Sequence, residues 1–181
     1  MKQLQVITGC MFAGKTTELL NRLNSLKEKY LLVKPMIDNR IEGDKISTHS
    51  GVATRAIRVN NLSDVFKQLT NIKVLGIDEA QFFNRSIIND LHYLKSKKIK
   101  IIIAGLDKDY LNKPFGYMND IISLSDSVTR LKAECNYCSN DAIYSHRKNM
   151  VSQDQLLIGN NDSYEALCES CYQKINCENG E

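Results

Sequence analysis

Lys15 and Thr16 close the octapeptide Gly9-Cys10-Met11-Phe12-Ala13-Gly14-Lys15-Thr16, which satisfies the pattern G-x-x-x-x-G-K-S/T in full. A chain of this kind turns its backbone N–H groups toward a polyanion, while the lysine reaches the β- and γ-phosphates and the hydroxyl serves Mg²⁺. The context supports the string. The apolar run Leu4-Gln5-Val6-Ile7 leads into the loop, and Leu19, Leu20, Leu23 and Leu26 form a helical stripe after it, with Glu18, Arg22 and Lys27 off the stripe. Strand, loop and helix in that order aim a helix N-terminus at the same phosphates. A glycine-rich turn with a chance lysine has no need of that order, so the segment predicts a nucleoside triphosphate site.

A second apolar run, Val74-Leu75-Gly76-Ile77, ends in the carboxylates Asp78 and Glu79. Parallel sheets bind ligands beyond the carboxyl ends of their strands, so Asp78 and Thr16 are expected to converge on Mg²⁺. Glu79 is then available as a base, and two acceptors fit it equally: a substrate hydroxyl or a water. Asp107 follows the run Ile99 to Ala104 at the same sheet edge, and either a magnesium ligand or a turn residue suits it.

Four of the six cysteines form two CxxC knuckles, Cys135/Cys138 and Cys168/Cys171, with 29 residues between them. Four thiolates make a closed tetrahedral site, the chemistry of structural zinc. An iron–sulfur cluster takes the same ligands, and a redox dithiol is the other rival, but two matched knuckles favour zinc. Metal binding pins both ends of residues 139–167, making them a loop able to cover a ligand and exclude water. Cys10 reads as a small buried side chain and Cys177 as a tail thiol.

The elements that position these groups follow from 181 residues of ordinary soluble composition, 43% hydrophobic and 25% charged. Strands are expected at Leu4 to Thr8, Leu31 to Lys34, Val74 to Ile77, Ile99 to Ala104 and Ile121 to Leu124. Helices are expected after Thr16, over Leu62, Val65, Phe66 and Leu69, and over Ile87, Ile88, Leu91 and Leu94. Alternation of this kind predicts an α/β fold with a mainly parallel sheet covered on both faces. Met36 to Arg55 is polar, weakly patterned and expected to be a flexible excursion. Near residue 130 the apolar periodicity stops, which divides the chain into a nucleotide-binding domain, 1–130, and a metal-stapled domain, 131–181. A net charge of +3 with dispersed lysines argues against a nucleic-acid partner, and no apolar run approaches a membrane span. The strand begins right after Met1-Lys2-Gln3, so no signal peptide is expected and the default location is cytoplasmic.

Together these residues resemble the type II thymidine kinases, a family of small zinc-containing phosphate-loop enzymes. The resemblance runs through Gly9 to Glu18 (GCMFAGKTTE), Asp38-Asn39-Arg40, Thr48-His49-Ser50-Gly51 and Ile77 to Phe83 (IDEAQFF). It continues through Gly105-Leu106-Asp107, Lys113-Pro114-Phe115-Gly116, the four cysteines, and Ile158-Gly159 with Tyr164 ahead of Cys168. It implies a RecA-like P-loop NTPase sheet flanked by helices, with a small C-terminal zinc domain that carries a lasso loop. The implied reaction moves the γ-phosphate of ATP to the 5′-hydroxyl of thymidine for DNA-precursor salvage, with deoxyuridine as a second substrate.

The same resemblance distributes roles. Gly9, Cys10, Met11, Phe12, Ala13, Gly14, Lys15, Thr16 and Thr17, with Asp38 and Asp78, hold the nucleotide, and Thr16 and Asp78 serve Mg²⁺. Glu79 matches the catalytic base, and Lys15 and Arg40 face the transferring phosphoryl group. Met11, Phe82, Leu106, Tyr110, Phe115, Ser145, Gln155, Leu157, Ile158, Gly159 and Tyr164 match the nucleoside pocket. Cys135, Cys138, Cys168 and Cys171 match the zinc ligands. A homotetramer inhibited by thymidine triphosphate is implied as well. Four positions depart from the family pattern: Cys10 stands for Pro, Tyr110 for Phe, Ser145 for Thr and Asn160 for a second Gly. None removes a group that the chemistry needs.

Overall fold

In the computed structural model, which describes residues 2–37, 45–47, 53–148 and 163–178, the first apolar run becomes β1 (Leu4–Gly9). The leucine stripe after the phosphate loop becomes α1 (Lys15–Ser25), with Leu19, Leu20 and Leu23 buried. β2 (Tyr30–Pro35) ends on its proline. The polar stretch that follows holds an antiparallel ladder of β3 (Lys45–Ser47) and β4 (Ala53–Arg55), and β5 (Ile57–Val59) returns beside β2. β6 (Val74–Ile77), α2 (Ser86–Ser96), β7 (Lys100–Ala104), α3 (Met118–Leu124) and β8 (Ser127–Leu131) complete the large sheet and its cover.

The six strands lie in the order β5-β2-β6-β7-β1-β8, and every pairing between them is parallel. Side-chain alternation splits the core in two. Leu4, Val6, Leu75, Ile77, Ile101 and Ile103 face α2 and α3, whereas Ile7, Ile102 and Ala104 face the leucines of α1. Burial on both faces is why these runs read as nearly continuous apolar stretches.

Beyond β8 come β9 (Ala133–Glu134), β10 (Asp141–Ala142), β11 (Tyr144–Arg147), β12 (Tyr164–Leu167) and α4 (Glu169–Glu178). They form two short antiparallel sheets, β9 with β10 and β11 with β12. Their small core is shared. Cys135, Ala142, Ala166, Leu167 and Cys168 pack together with Cys10, and Phe12 and Ala13 of the phosphate loop lie against the same cluster.

Two expectations are corrected. Ile121 to Leu124 is the last turn of α3, not a strand: Met118 and Ile121, three residues apart, put one helical face into the core. The strand falls instead on Ser127–Leu131, whose mixed composition suits a sheet edge where its side chains stay half-exposed. The pattern at Leu62 to Leu69 forms two short 3₁₀ turns, Leu62–Val65 and Gln68–Thr70. Leu62 and Val65 still reach the core from one side of the first turn, as its period of three dictates, and Leu69 reaches it from the second turn. The first turn begins where the Asp64 carboxylate accepts the N–H groups of Asn61 and Asn60, at 3.0 and 3.2 Å. Among the described residues no helix is long and apolar enough to cross a membrane.

Candidate active site

The phosphate loop leaves the C-terminal end of β1 with positive φ at Gly9 (139°), Phe12 (65°) and Gly14 (77°), a winding that turns successive peptide groups toward one point. The Lys15 ammonium donates to the Cys10 carbonyl at 2.7 Å, which keeps the charge at the loop. Two contacts tie the loop to the cysteine-bearing lobe. The Met11 N–H donates to Ser145 Oγ at 2.9 Å, and the Cys10 thiol donates to the Ala142 carbonyl at 3.3 Å. Burial pushes the Cys10 thiol up, against the opposing pull of Lys15, so it keeps the proton that this contact uses.

Thr16, the second residue of α1, donates to the Asp78 carboxylate at 3.0 and 3.3 Å, although β7 lies between the parent strands β1 and β6. Asp78 is buried at 5% exposure, and its N–H donates to the Val33 carbonyl at 2.9 Å. Glu79 takes the left-handed conformation, φ 52° and ψ 44°. That region is costly for a side chain larger than glycine, and it turns the carboxylate out of the strand direction. Its N–H donates to Asp78 Oδ1 at 3.1 Å, and its Oε2 accepts the Gln81 amide at 2.5 Å.

At the exit of β7, the Asp107 N–H donates to Thr8 Oγ1 at 3.1 Å and its carbonyl accepts the Phe115 N–H at 3.1 Å. Asp107 thus shapes the turn that carries Leu106, Tyr110 and Phe115, all nearly buried. The Phe82 ring meets that of Phe115 edge to face at 5.5 Å. From the other lobe, β11 and β12 present Ser145 and Tyr164. Arg147, 1% exposed, joins the two sides: its guanidinium lies 3.8 Å from the Tyr110 ring centre and donates to Tyr164 Oη at 2.8 and 3.2 Å. The extra hydroxyl of Tyr110 therefore belongs to a ring already engaged by a cation.

Cys135, Cys138, Cys168 and Cys171 bring their sulfurs within 4.8 Å of one another, with Cys138 at 3.5 Å from Cys168 and 3.6 Å from Cys171. A tetrahedral zinc with bonds of about 2.3 Å spaces its sulfurs by about 3.8 Å, so the cage fits that ion. Burial pushes the Cys135 thiol up, but backbone N–H groups of Cys168, Tyr137 and Cys138 outweigh it and hold the thiol down at about 6. Hydrogen bonding to Cys138 above all pushes the Cys171 thiol the other way, up to about 12, so metal binding at this cage has to displace thiol protons. Behind the cage, the His146 ring bonds the Glu165 carboxylate at 2.9 Å, both side chains being buried.

The sites read from the sequence thus fall into three groups. Lys15, Thr16, Asp78 and Glu79 gather at one sheet edge; among the pocket candidates Met11 bonds Ser145, Phe82 meets Phe115, and Arg147 links Tyr110 to Tyr164; and the four cysteines cluster in the second lobe. Asp38, Arg40, Gln155, Leu157, Ile158, Gly159 and Asn160 lie outside the described residues. Two residues escaped the sequence reading. Gln81 stood inside the IDEAQFF motif, where its two-residue spacing from Glu79 was the available signal. Arg147 had none, since no motif or spacing in the sequence marks it out from the other dispersed basic residues.

The parallel six-stranded sheet with its phosphate loop is that of a P-loop nucleotide-binding protein, and the four-cysteine cluster near the C-terminal end is consistent with a zinc site. The match goes further. Residues 2–172 fit the family model described as thymidine kinase, and this chain belongs to that family. It is similar to the thymidine kinase of Mycoplasma mobile, 38% identical across 97% of this chain and 92% of that protein. The thymidine kinase of Bacteroides thetaiotaomicron is 34% identical across 99% and 91%, and that of Mesoplasma florum 35% across 94% and 91%.

Proposed function

We propose that this protein transfers the γ-phosphate of ATP to the 5′-hydroxyl of thymidine, with deoxyuridine as a second acceptor. The clip between Thr16 and Asp78 carries the reading, because it brings the phosphate loop and the turn bearing Glu79 to one point in a chain of this family.

The roles are assigned from the family resemblance, with the contacts above in support where the residues are described. The loop from Gly9 to Thr17 cradles the triphosphate through its N–H groups, and the Lys15 ammonium stands at the phosphate end. Thr16 and Asp78 offer two hard oxygen donors and leave the remaining positions to water and phosphate, a set that fits Mg²⁺. An ion held by these two residues would supply positive charge to offset that of the phosphates. Glu79 accepts the proton of the 5′-hydroxyl as that oxygen attacks the γ-phosphorus, and the leaving group is ADP. Arg40 and Asp38 complete the phosphate and sugar contacts.

Phe82, Leu106, Tyr110, Phe115 and Tyr164 give flat and apolar walls suited to a pyrimidine, and Ser145 and Met11 close the side nearest the loop. Gln155 and residues 157–159 complete the pocket as the lasso, whose stem is the β11–β12 pair and whose base is the Cys₄ cage. On this reading residues 131–181 are a zinc-binding unit that serves as the lid of the 1–130 nucleotide unit. Family membership also supports a cytoplasmic homotetramer restrained by thymidine triphosphate.

The test is the fate of the label from [γ-³²P]ATP. Thymidine carrying label on its 5′-oxygen is the expected product; label released only as inorganic phosphate assigns Glu79 to water and overturns the reading.

A further inference from the structure

We propose that Gln81 is a positioning residue that fixes the direction of the Glu79 carboxylate before substrate arrives; the inference rests on Glu79 being the base. Gln81 is 2% exposed, and both ends of its amide are engaged. Its Oε1 accepts the Leu106 N–H at 3.0 Å, and its Nε2 donates to Glu79 Oε2 at 2.5 Å. The orientation is forced. A backbone N–H can only donate, so the amide oxygen faces Leu106 and the NH₂ faces the carboxylate.

The surroundings lock this arrangement. A Cβ on Gly105 would come within 2.9 Å of the amide oxygen, and one on Gly116, at φ 53°, would sit 2.1 Å from the Gln81 carbonyl. Gly105 therefore makes room for the side-chain amide, and Gly116 for the main chain that carries it. Leu106 is also a wall of the proposed nucleoside pocket, so one side chain links the base to the surface that the pyrimidine touches. The Glu79 residue, on a left-handed backbone with its N–H committed to Asp78, receives at its Oε2 a hydrogen bond from this fixed amide.

Gln81→Glu tests this with almost no change of shape. The new carboxylate still accepts from Leu106 but presents an acceptor to Glu79 where a donor stood. The expected result is a fall in kcat of roughly 10- to 100-fold, the scale of a misdirected reacting group, with KM for ATP within about twofold of the parent. Gln81→Met, similar in length, loses both the donor to Glu79 and the acceptor of the Leu106 N–H, so it should show the same split between kcat and KM with a modestly lowered melting temperature. Parent-like kcat in both variants overturns the proposal. So does a loss of kcat matched by an equal rise in KM for ATP and a collapse in melting temperature, which marks a merely structural role. Glu79→Gln, measured alongside, separates the two claims. If it is impaired while both Gln81 variants are not, the Gln81 inference alone fails; if it turns over normally, the assignment of the base fails and takes this one with it.

Discussion

Glu79 sits on a left-handed backbone between two side chains that hold it, Asp78 at its N–H and Gln81 at its carboxylate. Replacing it with Gln keeps the size and removes the base, so turnover should fall by roughly two or more orders of magnitude. Nucleotide affinity, read by titration with ATP, should stay close to that of the parent. Unchanged turnover would contradict the assignment. Arg147→Lys keeps the charge but loses the planar fork that serves Tyr164 and lies on Tyr110. KM for thymidine should rise roughly tenfold, with KM for ATP little altered. The contrast with the sequence is instructive. Lys15, Thr16, Asp78 and Glu79 were legible because their chemistry is encoded in short spacings at strand ends. Gln81 was only half legible: its spacing from Glu79 is short, but the contact that orients its amide is with Leu106, 25 positions on, and Arg147 meets Tyr110 from 37 positions away.

Among the elements, the first strand is held at its start by a neighbour in space. The Asp126 carboxylate accepts the N–H groups of Gln3 and Leu4 at 2.7 and 2.8 Å, while Lys95 stands 3.6 Å away. The N–H groups of Leu4 and Gln3, aided by Lys95, hold the Asp126 carboxyl below the usual carboxylate range. A depressed value in the folded state means stability that is present above the ordinary Asp range and lost as pH falls through the folded value. Melting temperatures should therefore favour the parent over Asp126→Asn at pH 6, with the gap closing below about pH 4. A gap that stayed constant down to pH 3 would contradict this. Strand and helix types were readable where long apolar runs met motif ends, as in β1, α1, β6 and β7. Short runs were ambiguous: Ile121-Ile122-Ser123-Leu124 has the composition of a strand, and only the packing of Met118 and Ile121 makes it helical. The edge strands β5 and β8 were missed because strands that cover less core carry less apolar signal.

The molecule as a whole joins its two parts through the phosphate loop. Cys10, Phe12 and Ala13 pack into the core that also contains Cys135 and Cys168, and Cys10 and Met11 bond Ala142 and Ser145. Removing the metal should therefore loosen more than the distal lobe. Cys135→Ser is expected to bind less than one zinc per chain and to melt at a lower temperature. Its affinity for ATP should fall together with its affinity for thymidine. A variant with full metal content and both affinities intact would refute this coupling. The cage itself was legible from two matched knuckles, but its shared core with the loop was not, since nothing in the spacing of Cys10 points 132 residues ahead to Ala142.

All three scales meet in the claim that a nucleoside hydroxyl, and not water, receives the phosphoryl group beside Glu79. The most direct measurement is the yield of ADP by the purified protein with Mg-ATP, with and without thymidine. The account predicts one ADP for each thymidine phosphorylated and negligible ADP in its absence. Sustained ADP release without nucleoside, unaltered when thymidine is added, would contradict it.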